Sequence, residues 1–315
     1  MALAGVVLGL LAATFLYVLL VFLSPSDKQS STPSELTFRR PSSPAKAEPL
    51  PGIDSPAAVD LSVVVPAYNE TLRLPPMLTA AIEHLSTTPS RSYEIVIVDD
   101  CSSDATSQTA LDFGKKYPKA DIRVITFEKN RQKGGAVKHG VLHSRGKRIL
   151  MVDADGASQF RDLESLWKQL DAVQSGEEGV AVGSRAHLVK TEAVVKRSFI
   201  RNLLMYGFHF LLRTVGVGYI HDTQCGFKLF TQSSARQLFE SMHIHGWIFD
   251  VELLLLAQML GIPVAEVPIE WHEIEGSKMS LMRDSIMMAI DVVVLRANYT
   301  LGRWRPVSTD KRKSE

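Results

Sequence analysis

Apolar and polar positions divide the chain into three regions of different character. Residues 2–23 carry no charged side chain and almost no polar one, which is enough apolar length for a helix that crosses a bilayer core of about 30 Å. Residues 24–59 hold seven of the 15 prolines and eight serines, with no apolar period. From residue 60 onward, short runs rich in Val and Ile alternate with stretches of helical period. The pattern predicts an anchor, a linker and a folded domain.

The Val- and Ile-rich runs predict a sheet. The predicted strands are residues 61–65, 94–98, 122–127, 148–152 and 180–183, and the predicted helices are residues 74–86, 104–117, 135–144 and 161–174. Apolar strands without polar alternation are typical of strands buried on both faces, and helices between consecutive strands are typical of parallel pairing. We therefore predict an α/β fold with a mostly parallel sheet and flanking helices. In such sheets ligands bind beyond the carboxyl ends of the strands.

The N-terminal apolar segment fits an uncleaved transmembrane helix better than a cleaved signal peptide. No basic residue precedes it, and it is longer than the usual apolar core of a signal peptide. The Lys and Arg residues that follow it are Lys28, Arg39, Arg40 and Lys46. This excess of basic residues predicts a single-pass protein with its domain in the cytosol. The two N-glycosylation sequons, at Asn69 and Asn298, are then expected to stay bare.

Composition narrows the classes of function. The chain has 35 Lys and Arg against 34 Asp and Glu, which excludes the basic excess of a general nucleic-acid binder. Two cysteines, Cys101 and Cys225, exclude a disulfide-stapled scaffold and a Cys-rich zinc site. The Pro- and Ser-rich residues 24–59 cannot bury enough apolar surface to offset the entropy of ordering, so we expect a flexible linker there.

Two pairs of carboxylates follow predicted strands. Asp153 and Asp155 come directly after the fourth strand at i, i+2 spacing, and Asp99 and Asp100 follow the second. A hard divalent cation prefers such oxygen ligands and leaves positions free for phosphate, and it can neutralise a departing diphosphate. A D-x-D string is common by chance, but carboxylates at buried strand ends need donors, a cation or a ligand. The four residues together predict a metal–diphosphate site.

Two other strand ends carry residues suited to a nucleotide. The first strand closes at Pro66, and Tyr68 and Glu70 follow it. These side chains suit stacking and hydrogen bonding to a nucleoside, although a turn with a helix cap is an equally good interpretation. Lys133 and Gly134 follow the third strand. They offer positive charge and close backbone approach to phosphate, or simply a glycine-opened turn with a solvated cation.

Arginines follow the fifth predicted strand. Arg185 ends the strand, and Arg197 and Arg201 lie four residues apart on a predicted helix. Two arginines at that spacing share a face and can bind a phosphate through forked donors. A solvated basic face is the alternative.

Five motifs in one order resemble the inverting GT-A glycosyltransferases. They are V-V-V-P-A-Y-N-E, I-V-D-D, N-R-Q-K-G-G-A, V-D-A-D-G and G-S-R. The later strings H-D-T-Q-C-G-F-K-L-F, W-I-F-D-V-E-L-L and E-I-E-G-S-K resemble one branch, the dolichyl-phosphate sugar synthases, and within it the enzymes that transfer glucose. The resemblance implies a GT-A (Rossmann-like) domain over residues 60–305, after the anchor of residues 1–23 and before a charged tail of residues 306–315.

The resemblance implies a reaction. UDP-glucose would donate glucose to dolichyl phosphate in the membrane, with inversion, giving dolichyl β-glucosyl phosphate and UDP for lipid-linked oligosaccharide assembly in protein N-glycosylation. It implies a divalent metal, Mg²⁺ or Mn²⁺, and a place in the endoplasmic reticulum membrane with the catalytic domain facing the cytosol. A phosphomonoester with a second pKa of about 6 is largely ionised at neutral pH and needs little help from a base. The motifs leave the oligomeric state open.

The resemblance also implies residue roles. Pro66, Tyr68, Glu70, Asp99, Asp100, Lys133, Gly134 and Asp153 match the nucleotide-sugar site, Asp153 and Asp155 the metal site, and Arg185, Arg197 and Arg201 the acceptor-phosphate site. Asp222, Gln224 and Lys228 lie in the segment that closes over the sugar in relatives. Some relatives carry an Asp directly before F-[RK]-L, where this chain has Gly226. Asp222 is therefore the substitute candidate for a catalytic carboxylate beside Asp153 and Asp155.

Other functions share parts of the pattern. Mannosyl transfer from GDP-mannose shares the early motifs, and only residues 221–278 favour glucose. A polysaccharide synthase would carry Q-x-x-R-W, where residues 300–304 read T-L-G-R-W. A non-catalytic subunit that binds nucleotide sugar would not need the intact carboxylate pair. Two Arg-flanked apolar runs, residues 202–212 and 286–295, are too short to span a bilayer and are expected either at the membrane interface or in the core.

Overall fold

The computed structural model describes residues 2–25, 31–190, 218–274 and 281–307. Several features discussed above lie outside these ranges: Lys28, Arg197, Arg201, the apolar run at residues 202–212 and residues 308–315 of the predicted charged tail. Most of the E-I-E-G-S-K string lies outside them as well.

Within the described residues, nine strands form one sheet in the order β2-β1-β5-β4-β3-β6-β8-β7-β9. The strands are β1 Thr37–Arg40, β2 Ser43–Pro49, β3 Val59–Ala67, β4 Tyr93–Asp99, β5 Asp121–Thr126, β6 Gly146–Val152, β7 Val180–Ser184, β8 Phe227–Thr231 and β9 Val264–Pro268. The helices are α1 Ala2–Leu23, α2 Leu74–Ser86, α3 Thr106–Lys116, α4 Gln132–Leu142, α5 Leu163–Val173, α6 Gln232–Ser241, α7 Phe249–Leu260 and α8 Leu281–Thr300.

The five predicted strands and four predicted helices are confirmed within a few residues. Strands β5, β4, β3 and β6 pair in parallel at the centre of the sheet. Strand β8 pairs antiparallel with β6 on one side and with β7 on the other. The sequence did not predict β8, because Lys228 interrupts its apolar run. The outcome is the predicted α/β fold, with antiparallel additions that make the sheet mixed.

The sheet is buried on both faces. Alternate residues of β3 point to opposite sides, with Val64 in one apolar cluster and Val63 and Val65 in the other. Helices α4, α6 and α7 cover the first face, and α2, α3 and α5 cover the second. Helix α4 can approach the sheet closely because Gly140 has no side chain. A Cβ at this position would press on Val64 and Val98. Two-sided coverage leaves only the strand ends open for a site.

Residues 33–49 correct the expectation of a flexible linker. A 3₁₀ turn at Pro33–Leu36 leads into the β1–β2 hairpin, and Arg39 of β1 pairs with Val124 of β5. Phe38 is buried, and the Arg123 guanidinium lies 4.6 Å from the centre of its ring. Sheet-edge hydrogen bonds and one buried aromatic ring order the segment without any apolar period. We call residues 33–49 the N-terminal arm.

The N-terminal helix α1 is long and apolar enough to cross a membrane, and most of its side chains are exposed. Its C-terminal end contacts helix α8. There Ser24 Oγ accepts hydrogen bonds from Asn298 Nδ2 at 2.9 Å and from Arg303 at 3.2 Å. Asn298 is completely buried. A bare Asn298 is therefore expected on either side of a membrane, and of the two sequons only Asn69 can report orientation.

The apolar run at residues 286–295 lies within α8. Met288, Val292 and Leu295 are buried, whereas Ile286 and Val293 are exposed. One face of the helix therefore belongs to the core, as one of the two interpretations predicted. The exposed side chains are those that a membrane interface would contact.

Candidate active site

The loops that follow β3 and β4 are joined at the carboxyl edge of the sheet. Asn69 has a positive φ of 55°, and its Oδ1 accepts a hydrogen bond from Ser103 N at 2.8 Å. Glu70 N donates to Thr106 Oγ1 at 2.7 Å. Helix α3 begins at Thr106, directly after this loop. The loops hold each other and present the neighbouring side chains to one edge.

Asp99 and Asp100 are both buried at this edge. Asp99 accepts hydrogen bonds from Ser102 N at 2.9 Å and from Ser107 Oγ at 2.5 Å. Asp100 Oδ1 accepts one from Arg131 N at 2.5 Å. Burial, with the neighbouring charge of Asp99, raises the pKa of Asp100 to about 7. The pair combines a buried carboxylate that accepts hydrogen bonds from two serines with one that titrates near neutrality.

Tyr68 and Glu70 lie on the same loop but in different environments. Pro66, in β3, is half-buried, and the Tyr68 ring is exposed. Glu70 is buried and accepts two hydrogen bonds from Arg73, at 2.7 and 2.6 Å. Glu70 chiefly, and then Asp155, raise the pKa of Arg73 against the effect of burial. The sequence did not single out Arg73, which lies near the second carboxylate pair.

Asp153 and Asp155 lie just beyond β6. The Lys133 ammonium contacts Asp153 Oδ1 at 2.6 Å, so the structure brings these two predicted residues together. Asp155 Oδ1 accepts a hydrogen bond from Ala157 N at 3.0 Å. Burial and the charge of Asp153 raise the pKa of Asp155, as expected of neighbouring carboxylates that a cation would stabilise. Asp155 and Arg73 line a cleft between α2 and the loop that follows β6.

Gly134 has a packing role that the sequence interpretation missed. Its N–H donates to His245 O at 2.8 Å, and an added Cβ would lie 2.7 Å from Phe249 Cβ. The N–H that was expected to approach a phosphate is thus bonded within the protein. Gly134 brings the start of α4 against the start of α7, and Lys133 beside it carries the charge.

Arg185 and Asp222 form a forked ion pair beyond β7. Asp222 accepts hydrogen bonds from Arg185 N, Nε and Nη2 at 2.8, 2.7 and 2.9 Å. Burial raises the pKa of Asp222, but Arg185 outweighs it and the net pKa is lowered. The Arg185 guanidinium lies 5.3 Å from the centre of the Trp271 ring. Asp222 therefore holds the arginine proposed for acceptor phosphate, and a direct catalytic role for Asp222 stays a prediction.

Lys228 and Asp250 form a buried ion pair. Lys228 Nζ donates to Asp250 Oδ1 at 2.6 Å and to Cys225 O at 2.5 Å, and both charged side chains are almost fully buried. Burial raises the pKa of Asp250, although Lys228 and Lys133 oppose this. Asp250 was missed. Its signal in the sequence is a carboxylate in the first turn of a mostly apolar helix, α7, which also carries Glu252 in that turn.

Comparison with known proteins shows the family of this chain. A family model described as glycosyl transferase family 2 matches residues 62–239. The chain is 48% identical over 271 residues to dolichyl-phosphate beta-glucosyltransferase of Homo sapiens, which covers 84% of this chain and 83% of the relative. It is 51% identical over 255 residues to the enzyme of that name from Saccharomyces cerevisiae, covering 78% of this chain and 76% of the relative. The chain belongs to the dolichyl-phosphate beta-glucosyltransferase family. It is a hexosyltransferase, and the family resemblance of its motifs is confirmed.

Solved structures support the fold of this glucosyltransferase-family chain. It is similar to glucosyl-3-phosphoglycerate synthase from Mycobacterium tuberculosis in complex with UDP, with a TM-score of 0.52 and 18% identity over 76% of this chain and 80% of that one. The same enzyme with Mg²⁺ and UDP has a TM-score of 0.52 and covers 76% of this chain and 79% of that one. At this identity the likeness shows the fold, and the expected GT-A fold is confirmed.

The residues present suit a divalent cation with few protein ligands. Among the residues that the structure describes, no group of three or more His, Cys, Asp and Glu side chains is placed to hold a metal. Asp153 and Asp155 supply hard oxygen donors, and Mg²⁺ commonly binds through one or two carboxylates while substrate phosphates and water complete its shell. The chemistry of the donor set therefore fits Mg²⁺ or Mn²⁺ held together with a diphosphate.

Gly226 explains why this family member lacks a carboxylate before its F-K-L string. Gly226 O accepts a hydrogen bond from Asp153 N at 3.2 Å, and a Cβ added at Gly226 would overlap the Asp153 carboxylate. The position is thus filled by Asp153. This chain therefore has no room for a carboxylate side chain at residue 226.

We predict that Gly226→Ala reduces glycosyl transfer roughly a hundredfold, because displacing a positioned group by about 1 Å can cost that much. The added methyl group would push the Asp153 carboxylate away from its place beside Lys133. Initial transfer rates measure the effect. Gly52→Ala is the matched control, since open space surrounds that glycine. A Gly226→Ala enzyme with the unaltered rate would contradict the placement of Asp153.

Proposed function

We propose that this enzyme transfers glucose from UDP-glucose to dolichyl phosphate, with inversion, at the cytosolic face of the endoplasmic reticulum membrane. The observation that carries the proposal is the identity of about half of all aligned residues with dolichyl-phosphate beta-glucosyltransferases over most of the chain. The donor is supported by a structural neighbour in complex with Mn²⁺ and UDP-glucose, with a TM-score of 0.50. Among the residues that the structure describes, helix α1 is long and apolar enough to cross a membrane, which supports action at a membrane.

The donor would lie along the carboxyl ends of β3, β4 and β6. The exposed Tyr68 ring offers a stacking surface for the base, with Pro66 beside it and Glu70 on the same loop. The buried pair Asp99 and Asp100 offers acceptors for base and ribose donors. All five lie at the ends of β3 and β4 or in the two loops that follow these strands, which hydrogen bonds join.

The diphosphate would lie at Asp153 and Asp155. A divalent cation bound by these two carboxylates would neutralise charge on the leaving diphosphate. Lys133 contacts Asp153 and adds a second positive charge at the same place. Lys133 thereby keeps the carboxylate oriented and limits repulsion between the protein and the diphosphate.

The acceptor phosphate would bind at Arg185. A forked guanidinium suits a phosphate oxygen pair, and Asp222 and Trp271 hold this one in place. Arg197 and Arg201 are proposed as further phosphate donors and lie outside the described residues. A phosphate oxygen attacks the anomeric carbon while the bond to UDP breaks. The nucleophile is already ionised, so positioning supplies most of the catalysis and no side chain is required as a base.

The test uses full-length protein in detergent with dolichyl phosphate and Mg²⁺. Labelled UDP-glucose and labelled GDP-mannose are offered in separate reactions, and label in the lipid phase is counted. The proposal expects label from UDP-glucose alone, and loss of that label with EDTA. Lipid label from GDP-mannose alone would show that the donor is GDP-mannose and not UDP-glucose. UDP binding without lipid label from either donor would overturn the proposed acceptor.

We predict that UDP affinity increases as the pH rises through about 7, the pKa of Asp100. The ionised carboxylate accepts hydrogen bonds from the nucleoside, whereas the protonated form loses acceptor capacity. Asp99 opposes ionisation and Arg131 favours it. The raised pKa also means that the contribution of Asp100 to folding stability is present at low pH and declines as the pH rises from 3.8 toward about 7.

Calorimetric titration with UDP over this pH range measures the affinity. Asp100→Asn is the control, because an amide does not titrate. The part of the pH dependence that belongs to the phosphates of UDP should remain in that variant. An identical pH profile in both proteins would exclude Asp100 as the titrating group.

A further inference from the structure

Glu35 lies in the N-terminal arm, outside every motif of the family. It is buried in the 3₁₀ turn Pro33–Leu36. Its carboxylate accepts three hydrogen bonds from the Arg131 guanidinium, at 3.1, 3.0 and 2.8 Å. Thr32 N donates to the same carboxylate at 3.2 Å. The string T-P-S-E at residues 32–35 is a capping-box pattern. The sequence therefore carries a signal for this helical turn within the Pro- and Ser-rich stretch.

The other side of Arg131 reaches the proposed nucleoside site. Arg131 N donates to Asp100 Oδ1 at 2.5 Å, and Asn130 Nδ2 donates to Asp100 O at 3.0 Å. The next residue, Gln132, has a positive φ of 65°, which is a strained backbone state for a residue with a side chain. A turn in this state persists only where surrounding contacts hold it. Asp100 holds it from one side and Glu35 from the other.

The arm has other means of staying in place. Phe38 is buried, and the β1–β2 hairpin pairs with the edge strand β5. A buried carboxylate–guanidinium pair contributes little net stability, because desolvation offsets much of the attraction. The pair therefore contributes more to holding the turn that carries Arg131 than to attaching the arm to the sheet.

We propose that Glu35 is a positioning residue for the donor nucleotide, acting through Arg131 on Asp100. The arm between the membrane helix and the motif-bearing domain then belongs to the donor site. The inference rests on the proposed function, since it takes Asp100 to contact the nucleoside of UDP.

The experiment measures UDP affinity by calorimetry with Mg²⁺, on full-length protein in detergent. Glu35→Gln keeps the size of the side chain and removes its charge. We expect its Kd for UDP to rise roughly tenfold, the scale typical when a residue that orients a binding group is changed. The KM for UDP-glucose should rise in parallel with little change in kcat, because Glu35 touches no reacting atom. The melting temperature should fall as well, because Glu35→Gln leaves the largely buried Arg131 guanidinium without its charged partner.

Glu48→Gln is the matched control. Glu48 belongs to the same arm and pairs with Arg40 away from the Arg131 turn, so its substitution should leave the Kd unchanged. The double variant Glu35→Gln/Arg131→Gln tests the route. If Glu35 acts through Arg131, the double variant should bind UDP no more weakly than Arg131→Gln alone. Arg131→Gln also keeps the test available if Glu35→Gln does not fold.

The outcomes separate two failures. A wild-type protein that does not bind UDP would overturn the proposed donor and the inference with it. Wild-type binding with an unchanged Kd in Glu35→Gln would overturn the inference alone. A lower melting temperature with an unchanged Kd would assign Glu35 to the fold only. Additive losses of affinity in the double variant would remove Arg131 from the route.

Discussion

Replacing Asp155 by Asn should reduce glucose transfer to dolichyl phosphate by roughly a thousandfold or more, since metal binding supplies charge stabilisation that the remaining groups do not replace. Asn keeps an oxygen for the hydrogen bond from Ala157 N, so the loop after β6 should keep its shape. The substitution leaves one carboxylate instead of two to bind the cation, so the cation should bind more weakly. Transfer of label from UDP-glucose to the lipid phase measures the rate.

Cation binding provides a second readout for Asp155→Asn. Titration with Mn²⁺, followed by its paramagnetic signal, should show weaker binding in the presence of UDP. Asp162→Asn is the matched control, because Asp162 follows the same strand, accepts a hydrogen bond from Glu270 N at 2.7 Å and is not among the residues that line the cleft with Asp155. A normal rate in Asp155→Asn would remove Asp155 from the metal site, and an equal loss in Asp162→Asn would indicate damage to the loop.

Replacing Asp250 by Ala should lower the free energy of unfolding by about 3–5 kcal/mol, the cost of leaving a buried charge without its partner. Lys228 lies in β8, which is paired on both sides, and its side chain is almost fully buried. Without Asp250 its ammonium would retain only the Cys225 carbonyl as a neutral acceptor. Denaturant unfolding of the detergent-solubilised protein measures the change.

Two controls define the Asp250 result. Removing both charges in Lys228→Met/Asp250→Ala should restore part of the lost stability, because no buried charge remains unpaired. Asp112→Ala breaks an exposed pair with Lys115 and should leave the stability almost unchanged, because solvent screens exposed pairs. If Asp250→Ala is as stable as the double variant, the ion pair does not carry the predicted cost.

The location of the site residues was predictable where each residue directly follows a parallel strand, because such strands end at the same edge of the sheet. Asp99, Asp100, Asp153 and Asp155 each follow an apolar run, so parallel pairing of those runs brings them to one side. Their roles remain proposals, but their common location followed from the order of strands. Lys133, which follows the third predicted strand, contacts Asp153 at the same edge, and its role toward phosphate stays a prediction.

Contacts between distant segments were not predictable in this way. Glu35 binds Arg131 across 96 positions of the chain, and neither residue's neighbours mark the pair. Gly134 was interpreted as an approach to phosphate, although packing of α4 against α7 requires it. Arg185 was interpreted as a phosphate donor without its partner Asp222. Periodicity reports which face of an element is buried, not which other element covers it.

Local apolar pattern and the order of elements were enough to predict the transmembrane-length helix, the alternation of strands and helices and the acidic pairs at strand ends. The pairing of the Pro- and Ser-rich arm with the sheet and the antiparallel direction of β8 emerge only in the folded protein. The same holds for the space that Gly226 leaves for Asp153 and for the pairing of Lys228 with Asp250. These features depend on which surfaces meet once the sheet has formed, and burial makes a charge or an added methyl group costly only at that stage.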